Sequence, residues 1–493
     1  MSASSSSRGK ASGAAYHALP VAPAINPEAD SGDLEDSGIL GSEPEPHHHP
    51  EVELDAKILW ILFALGCAVL LPWNVIITAM PYFLSQLQDS PYRGSFGSYV
   101  TTSFTVANFA VLAFATVTSK QASQSRRITL SSLLIALLTL FLTLTTFLTL
   151  TPTLFFFLTL SNGILQAIFG GYLQTSVMVI GALFGPRAMQ AVMSGQAAVA
   201  VIVSGVQVIS SAASVWGEAP EGYDAEAVTD GKAEAAAAFK FFGLSTVFML
   251  GTVGAYVWLR GMPAYKKAVE PMESRARFGR GEDRDEETEG LVGGRRGTKK
   301  NDDKAQIVRV AKANWLAEAA VAWVFIVTLA VFPTITVTIT PTNPDTHPLL
   351  FSAIHFFVFN VGDFVGRYSC SFPIFHIWSQ KKLLLISLAR TLFIPLFLMC
   401  NVQGGDPTKP ALINSDFLFM TILLACGLTT GYVSTMCIVS ASSEEHNKKL
   451  QGREDVDVAA TVASFFLVGG LAVGSAASFL VRYWICGCNP FQS

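Results

Sequence analysis

The chain has 493 residues, 51% of them hydrophobic and only 14% charged, and a formal net charge of −4. Its charges gather in a few segments and leave long windows almost free of them. That pattern excludes an ordinary soluble globular domain and describes an integral membrane protein.

The first 55 residues are rich in Ser, Ala, Pro and acidic side chains and lack the basic-then-apolar form of a cleavable signal. A disordered cytosolic tail is expected there. Its His47 to His49 run reads as a solvated low-complexity tract rather than a metal site. Its "EDSGIL", Glu35 to Leu40, resembles a loose acidic dileucine sorting signal, so a vacuolar or lysosomal membrane stands beside the plasma membrane as a destination.

A bilayer core is crossed by about 20 apolar residues of helix, because lipid offers no partner to an unpaired backbone. Windows of that length recur roughly eleven times, at 57–86, 96–119, 128–150, 153–184, 187–215, 236–260, 312–340, 347–372, 381–401, 414–440 and 456–484. The third and fourth are separated only by Thr151, Pro152 and Thr153, yet their joint apolar length exceeds one bilayer thickness, so two helices are expected. From Gly261 to Lys304 the chain mixes Arg, Lys, Glu and Asp with Gly and shows no apolar period. It reads as a cytosolic linker, 261–308, between a six-helix bundle, 56–260, and a five-helix bundle, 309–485, with a short tail at 486–493.

Loop charges orient the bundle. With the N-terminus in the cytosol, "SKQASQSRR", "GPRAMQ", "SQKK", "EEHNKKLQGRED" and the linker share one side and hold most Lys and Arg. The C-terminus is then luminal or extracellular. A six-plus-five division suits a transporter made of two bundles, with the substrate site near mid-membrane where they meet. "FTVAN" (Phe104 to Asn108) and "FFVFN" (Phe356 to Asn360) give a short internal echo at corresponding positions.

Polar groups at membrane depth mark the candidate site. In "FNVGDFVGRY", Asp363 and Arg367 lie at i and i+4 on one helix face, beside Asn360 and the small residues Gly362 and Gly366. Each charge costs about 2.5–3.5 kcal/mol at mid-membrane on insertion scales, and is tolerated only facing a partner or a wet cavity. In the first span, Pro72 loosens the helix beside Trp73 and Asn74. The fourth carries Asn162, Gln166 and Gln174; the two glutamines share roughly one face, and an amide can read both a donor and an acceptor. The fifth opens on Ser194, Gly195 and Gln196. Amides, one acid, one guanidinium and an indole suit a neutral, hydroxyl-bearing ligand with an aromatic ring better than a phosphate.

These stretches, "PWN", "ILQ", "MSGQ", "FP" (Phe332, Pro333), "FNVGDFVGR", "GY" (Gly431, Tyr432) and "FFLVGGLAVGSAASFLVR", resemble the equilibrative nucleoside transporters in the same order, over about Lys57 to Tyr483. The resemblance implies an all-α, major-facilitator-like fold of two bundles, alternating access, and nucleosides or free nucleobases as substrate. It further implies that Trp73 borders the base, Gln166 hydrogen-bonds it, and Asp363 with Arg367 contacts ribose hydroxyls. No cofactor or metal is implied, no nucleic acid is expected as partner, and a monomer in the lipid bilayer suffices. Outer loops lack an Asn-x-Ser/Thr sequon, and "SASSEEHNKK" after the tenth span is unusually charged.

No G-x-x-x-x-G-K-[ST] loop is present, so facilitated diffusion is expected rather than ATP drive. Proton symport is the rival, through Asp363, Glu318 or His355; Glu318 lies near the cytosolic end of its span and suits an interfacial role, and His355 a packed one. A major-facilitator carrier for another neutral solute would share the topology. An enzyme is disfavoured, since no H-E-x-x-H, G-x-S-x-G or His/Cys cluster occurs in the spans.

Overall fold

The computed structural model of the chain describes residues 54–486 apart from 89, 94, 119–122, 217–231, 287–292, 334, 344–345 and 403–411. The expected N-terminal tail, with its histidine run and Glu35 to Leu40, lies outside these residues, as does the C-terminal tail from 487.

Apolar length and capping chemistry set the elements. The N-terminal half holds α1 (Ala56–Thr78), α2 (Met80–Gln86), α3 (Phe96–Val117), α4 (Gln124–Thr145), α5 (Pro152–Leu183), α6 (Pro186–Trp216) and α7 (Lys232–Gly261). Between the halves lies α8 (Pro263–Glu286). The C-terminal half holds α9 (Gly293–Val331), α10 (Pro348–Ser369), α11 (Gln380–Ala389), α12 (Phe393–Leu398), α13 (Asp416–Ser442) and α14 (Val456–Cys486). Asp55 and Ser123 accept first-turn N–H groups of α1 and α4. Pro152 and Pro348 open α5 and α10, where a missing N–H costs nothing. Gly185, at φ +98°, makes the left-handed turn from α5 to α6 that a side chain would strain.

Among the described residues, ten helices are long and apolar enough to cross a membrane. The remaining segment expected from sequence, the ninth at 381–401, is helical but broken: α11 passes into α12 through a 3₁₀ turn at Arg390–Leu392. The 128–184 stretch does divide into two helices, α4 and α5. The linker differs from expectation. Residues 263–286 form α8, in which Tyr265, Ala268 and Val269 are buried and Met272 packs beside them, an i, i+3, i+4, i+7 stripe. Glu273 accepts from Ser125 N at 2.8 Å and Ser123 Oγ at 3.1 Å, which satisfies donors at the open N-terminus of α4. Tyr265 OH lies 2.5 Å from Ser125 Oγ and 2.8 Å from Tyr256 OH, and burial raises the Tyr265 phenol above its usual pKa.

Glycines bring selected helices into backbone contact. A Cβ on Gly66 would lie 2.1 Å from Val192 O, joining α1 to α6, and one on Gly470 2.5 Å from Ala322 O, joining α14 to α9. The seam of α10 with α13 is equally close: a Cβ on Gly431 would lie 2.0 Å from Asp363 O, and one on Gly366 2.1 Å from Leu428 O.

The cores define two ends. Near α8, one cluster draws on both halves: Ile58 to Val69, Leu173 to Met193, Ala320 to Phe325, Val433 to Val439 and Val456 to Val468 all contribute. At the far end the halves keep separate cores. One, around Tyr82, Phe83, Phe155 and Phe242, is built only from the N-terminal half. The other, around Phe332, Phe351, Phe397 and Phe419, is built only from the C-terminal half.

Candidate functional site

On the C-terminal half, α10 turns Asp363 and Arg367 toward the seam. Arg367 Nε donates to Asp363 Oδ2 at 2.9 Å, and Nη1 reaches Met193 O on α6 at 3.4 Å. The residues are 8% and 5% exposed. Asp363 Oδ1 is buried without a donor. Asn360, one turn before Asp363, donates to Ala200 O on α6 at 3.4 Å, and Gln190 Nε2 reaches Arg367 O at 3.4 Å. The ion pair and Asn360 therefore border the other half of the molecule. Asn108, the echo of Asn360, likewise donates to a helix carbonyl, Ala167 O at 3.2 Å, but within its own half.

On the N-terminal half, Trp73 is half-buried and leans on Phe104 with ring centroids 4.8 Å apart. Asn74 turns its amide back onto its own helix, donating to Leu70 O at 2.9 Å, beside the break between α1 and α2. Gln166 is fully buried; Nε2 donates to Asn162 Oδ1 at 2.6 Å and Oε1 has no donor. Gln174 serves elsewhere: Nε2 lies 3.3 Å from Ser464 Oγ on α14, so it ties the halves together toward the α8 end. The sequence pairing of Gln166 with Gln174 thus separates in space into one amide with a free acceptor and one interface contact.

Helix direction sets the depth. Gly163 on α5 packs against Ile76 on α1. These helices are antiparallel, so one turn from that contact toward the α8 end brings Gln166 and Trp73 level with each other.

A second buried guanidinium escaped the sequence reading. Arg390, 2% exposed, sits in the break between α11 and α12. It donates through Nη1 to Cys426 O at 3.0 Å and to Thr429 Oγ1, and through Nη2 to Thr328 Oγ1 at 2.8 Å and Thr430 Oγ1 at 2.7 Å, while Nε has no acceptor. The signal was available as one charge inside "LLLISLARTLFIPLFL". Of the rival relay residues, His355 has Nδ1 2.6 Å from Ser352 O and Nε2 3.4 Å from Thr336 Oγ1, and packs against Phe332 and Phe356. Glu318, expected near the interface, is 2% exposed with Oε1 unpartnered.

Chemically, each half holds one buried acceptor without a donor: Gln166 Oε1 on α5, level with Trp73, and Asp363 Oδ1 on α10, beside the Arg367 guanidinium. Among the described residues, no cluster of metal-ligating side chains accompanies them.

The profile of the family described as Nucleoside transporter matches residues 160–483, most of the chain. Equilibrative nucleoside transporter 1 of Rattus norvegicus is 27% identical over 469 residues, spanning 86% of this chain and 97% of the relative. Equilibrative nucleoside transporter 2 of Homo sapiens is 25% identical over 475 residues, spanning 85% and 95%. Among solved structures, the human organic anion transporter MFSD10 resembles this fold with a TM-score of 0.53 at 13% identity, over 88% of this chain and 96% of that one. The all-α, major-facilitator-like architecture expected from the sequence is the one found, and the chain belongs to the nucleoside transporter family.

Proposed function

We propose that the chain carries nucleosides across a membrane by facilitated diffusion, through alternating access between its two halves. The observation that carries this reading is the pair of buried acceptors without donors, Gln166 Oε1 on one half and Asp363 Oδ1 on the other. A buried acceptor left unmade costs about 1–3 kcal/mol. A nucleoside offers N–H groups at its base and O–H groups at its ribose, so one molecule bridging the halves can satisfy both. In this reading Trp73 flanks the base, Gln166 takes a base N–H, and a ribose hydroxyl donates to Asp363, whose charge Arg367 compensates. Asn360 and Asn74 border the path, and Gln174 holds the halves together. The support from relatives is their name, equilibrative nucleoside transporters.

The core arrangement supports the same cycle. One shared core near α8 and two separate cores at the far end describe a carrier closed at the first end and open at the second. Loop charge supports placing the α8 end in the cytosol, with the N-terminus there and the C-terminus luminal or extracellular. No enzymatic step is proposed, and one copy of the chain suffices.

Uptake of labelled adenosine and uridine into proteoliposomes, with and without a pH gradient, tests the reading. Saturable uptake that equilibrates without a gradient is expected. Uptake that requires inward protons would replace diffusion by symport, and none from folded protein would overturn nucleosides as substrate.

A further inference from the structure

The amide of Gln166 has its orientation dictated from outside the site. Asn162 Nδ2 donates to Leu138 O on α4 at 3.0 Å. A main-chain carbonyl can only accept, so the asparagine must turn its NH₂ toward Leu138 and its oxygen away. That oxygen, Asn162 Oδ1, lies 2.6 Å from Gln166 and accepts from Nε2. The flip of the Gln166 amide is thereby fixed: one Nε2–H is committed to Asn162, and Oε1 is buried without a donor. Asn162 and Gln166 are 3% and 0% exposed, so both amides are held inside the fold.

We infer that Asn162 is a positioning residue that fixes the flip of the Gln166 amide, holding Oε1 rather than Nε2 at this point, so that the carrier favours bases presenting an N–H there over those that present only ring nitrogens or alkylated positions. The inference rests on the nucleoside-carrier reading above. Its depth agrees with that reading, since Gln166 lies level with Trp73, which places an aromatic face and an acceptor beside one ring. An amide free to flip would accept or donate as the ligand required; one anchored to Leu138 O does not have that choice. Nothing in the sequence alone distinguished these cases, because the anchor is a carbonyl on another helix.

The test uses the full chain in proteoliposomes and two matched pairs of probes. Adenosine is compared with purine riboside, which lacks the exocyclic amine and has no base N–H. Uridine is compared with 3-methyluridine, in which that N–H is replaced. For the wild-type chain, uptake efficiency is expected to favour adenosine and uridine by roughly tenfold or more, since an acceptor built for a donor is left unmade by the analogue. In Asn162→Ala, Gln166 is free to rotate and can offer Nε2 to a ring nitrogen. Purine riboside uptake is then expected to rise and the adenosine preference to fall to about threefold or less. A structural role for Asn162 would lower uptake of all four probes together and leave the ratios intact, and that result overturns the inference. So does a wild-type chain that takes both members of each pair equally, which needs no variant to fold. If folded wild-type protein takes up none of the four, the carrier reading itself has failed, which is distinguishable from loss of selectivity.

Discussion

Arg367 joins the two halves while neutralising Asp363: the same guanidinium that donates to the carboxylate at 2.9 Å reaches Met193 O across the seam at 3.4 Å. The charge pair and the closure of the α8 end are thereby one structure. Moving α10 away from α6 must break the second bond, and it leaves the first to hold the buried carboxylate.

Substituting one partner of this pair separates the roles. Asp363→Asn leaves a buried guanidinium without its counter-charge, and Arg367→Met strands the carboxylate; loss of one member of a buried pair costs about 3–5 kcal/mol. Nucleoside uptake is expected to fall at least tenfold in each, with a lower melting temperature. Arg367→Lys keeps the charge but not the planar fork that serves Asp363 and Met193 together. It is expected to melt close to the wild type while losing most uptake. Equal uptake by the lysine variant would show that charge alone matters here.

Arg390 behaves differently, because its partners are hydroxyls and a carbonyl rather than an acid. Thr328, Thr429 and Thr430 each also donate to a carbonyl of their own helix, at 2.7, 2.8 and 2.8 Å. Removing the guanidinium strands no buried donor. Arg390→Met is accordingly expected to change unfolding stability by no more than about 1 kcal/mol, because lost hydrogen bonds offset recovered desolvation. Arg390→Glu would place an acid among carbonyls and is expected to abolish folded yield. A large melting decrease for the methionine variant would show that Arg390 staples α11 to α13.

The α10–α13 seam allows no side chain. At Gly431 a Cβ would lie 2.0 Å from Asp363 O, so Gly431→Ala must push α13 away from the residue that bears the charge. Overpacking of this kind costs about 1–3 kcal/mol and is expected to lower both melting temperature and uptake. Gly254 on α7 has nothing within 4 Å of its would-be Cβ. Gly254→Ala is expected to be neutral, or stabilising by about 0.5–1 kcal/mol through helix propensity. Thermal melts of the two variants side by side make the comparison.

How far the sequence reached can be argued from these residues. Asp363 and Arg367 were legible because charges are rare in apolar windows and their spacing set one face. The apolar lengths set the helices and the division of 128–184. Arg390 was equally visible as a charge but was counted as part of an unbroken span; its partners Thr328 and Thr430 come from two other helices. The apolar stripe of α8 is four residues long, Tyr265, Ala268, Val269 and Met272, and the surrounding charges concealed its period. Gln174 looked equivalent to Gln166 by helical spacing, and only the position of Ser464 on α14 sets it apart.

The last prediction concerns the closed end. Arg453, on the connection between α13 and α14, donates through Nη2 to Leu183 O at 3.3 Å and Ala268 O at 3.1 Å. Leu183 ends α5, where unpaired carbonyls and the helix dipole favour a cation, and Ala268 belongs to α8. Both acceptors lie outside the C-terminal half, so the contact exists only while the α8 end is shut. Arg453 is exposed, which limits each bond to a fraction of a kcal/mol. Such a difference shifts a two-state balance by only a few-fold. Arg453→Ala is therefore expected to raise labelling of a cysteine placed at Gln190, deep in the shared seam, by roughly two- to fivefold when an impermeant thiol reagent is applied from the α8 side. Labelling from the far side should fall correspondingly. Unchanged labelling from both sides would mean that Arg453 holds α8 in place without biasing which end is open, and the closed state would then rest on the shared apolar core and the bonds of Arg367, Asn360 and Gln174.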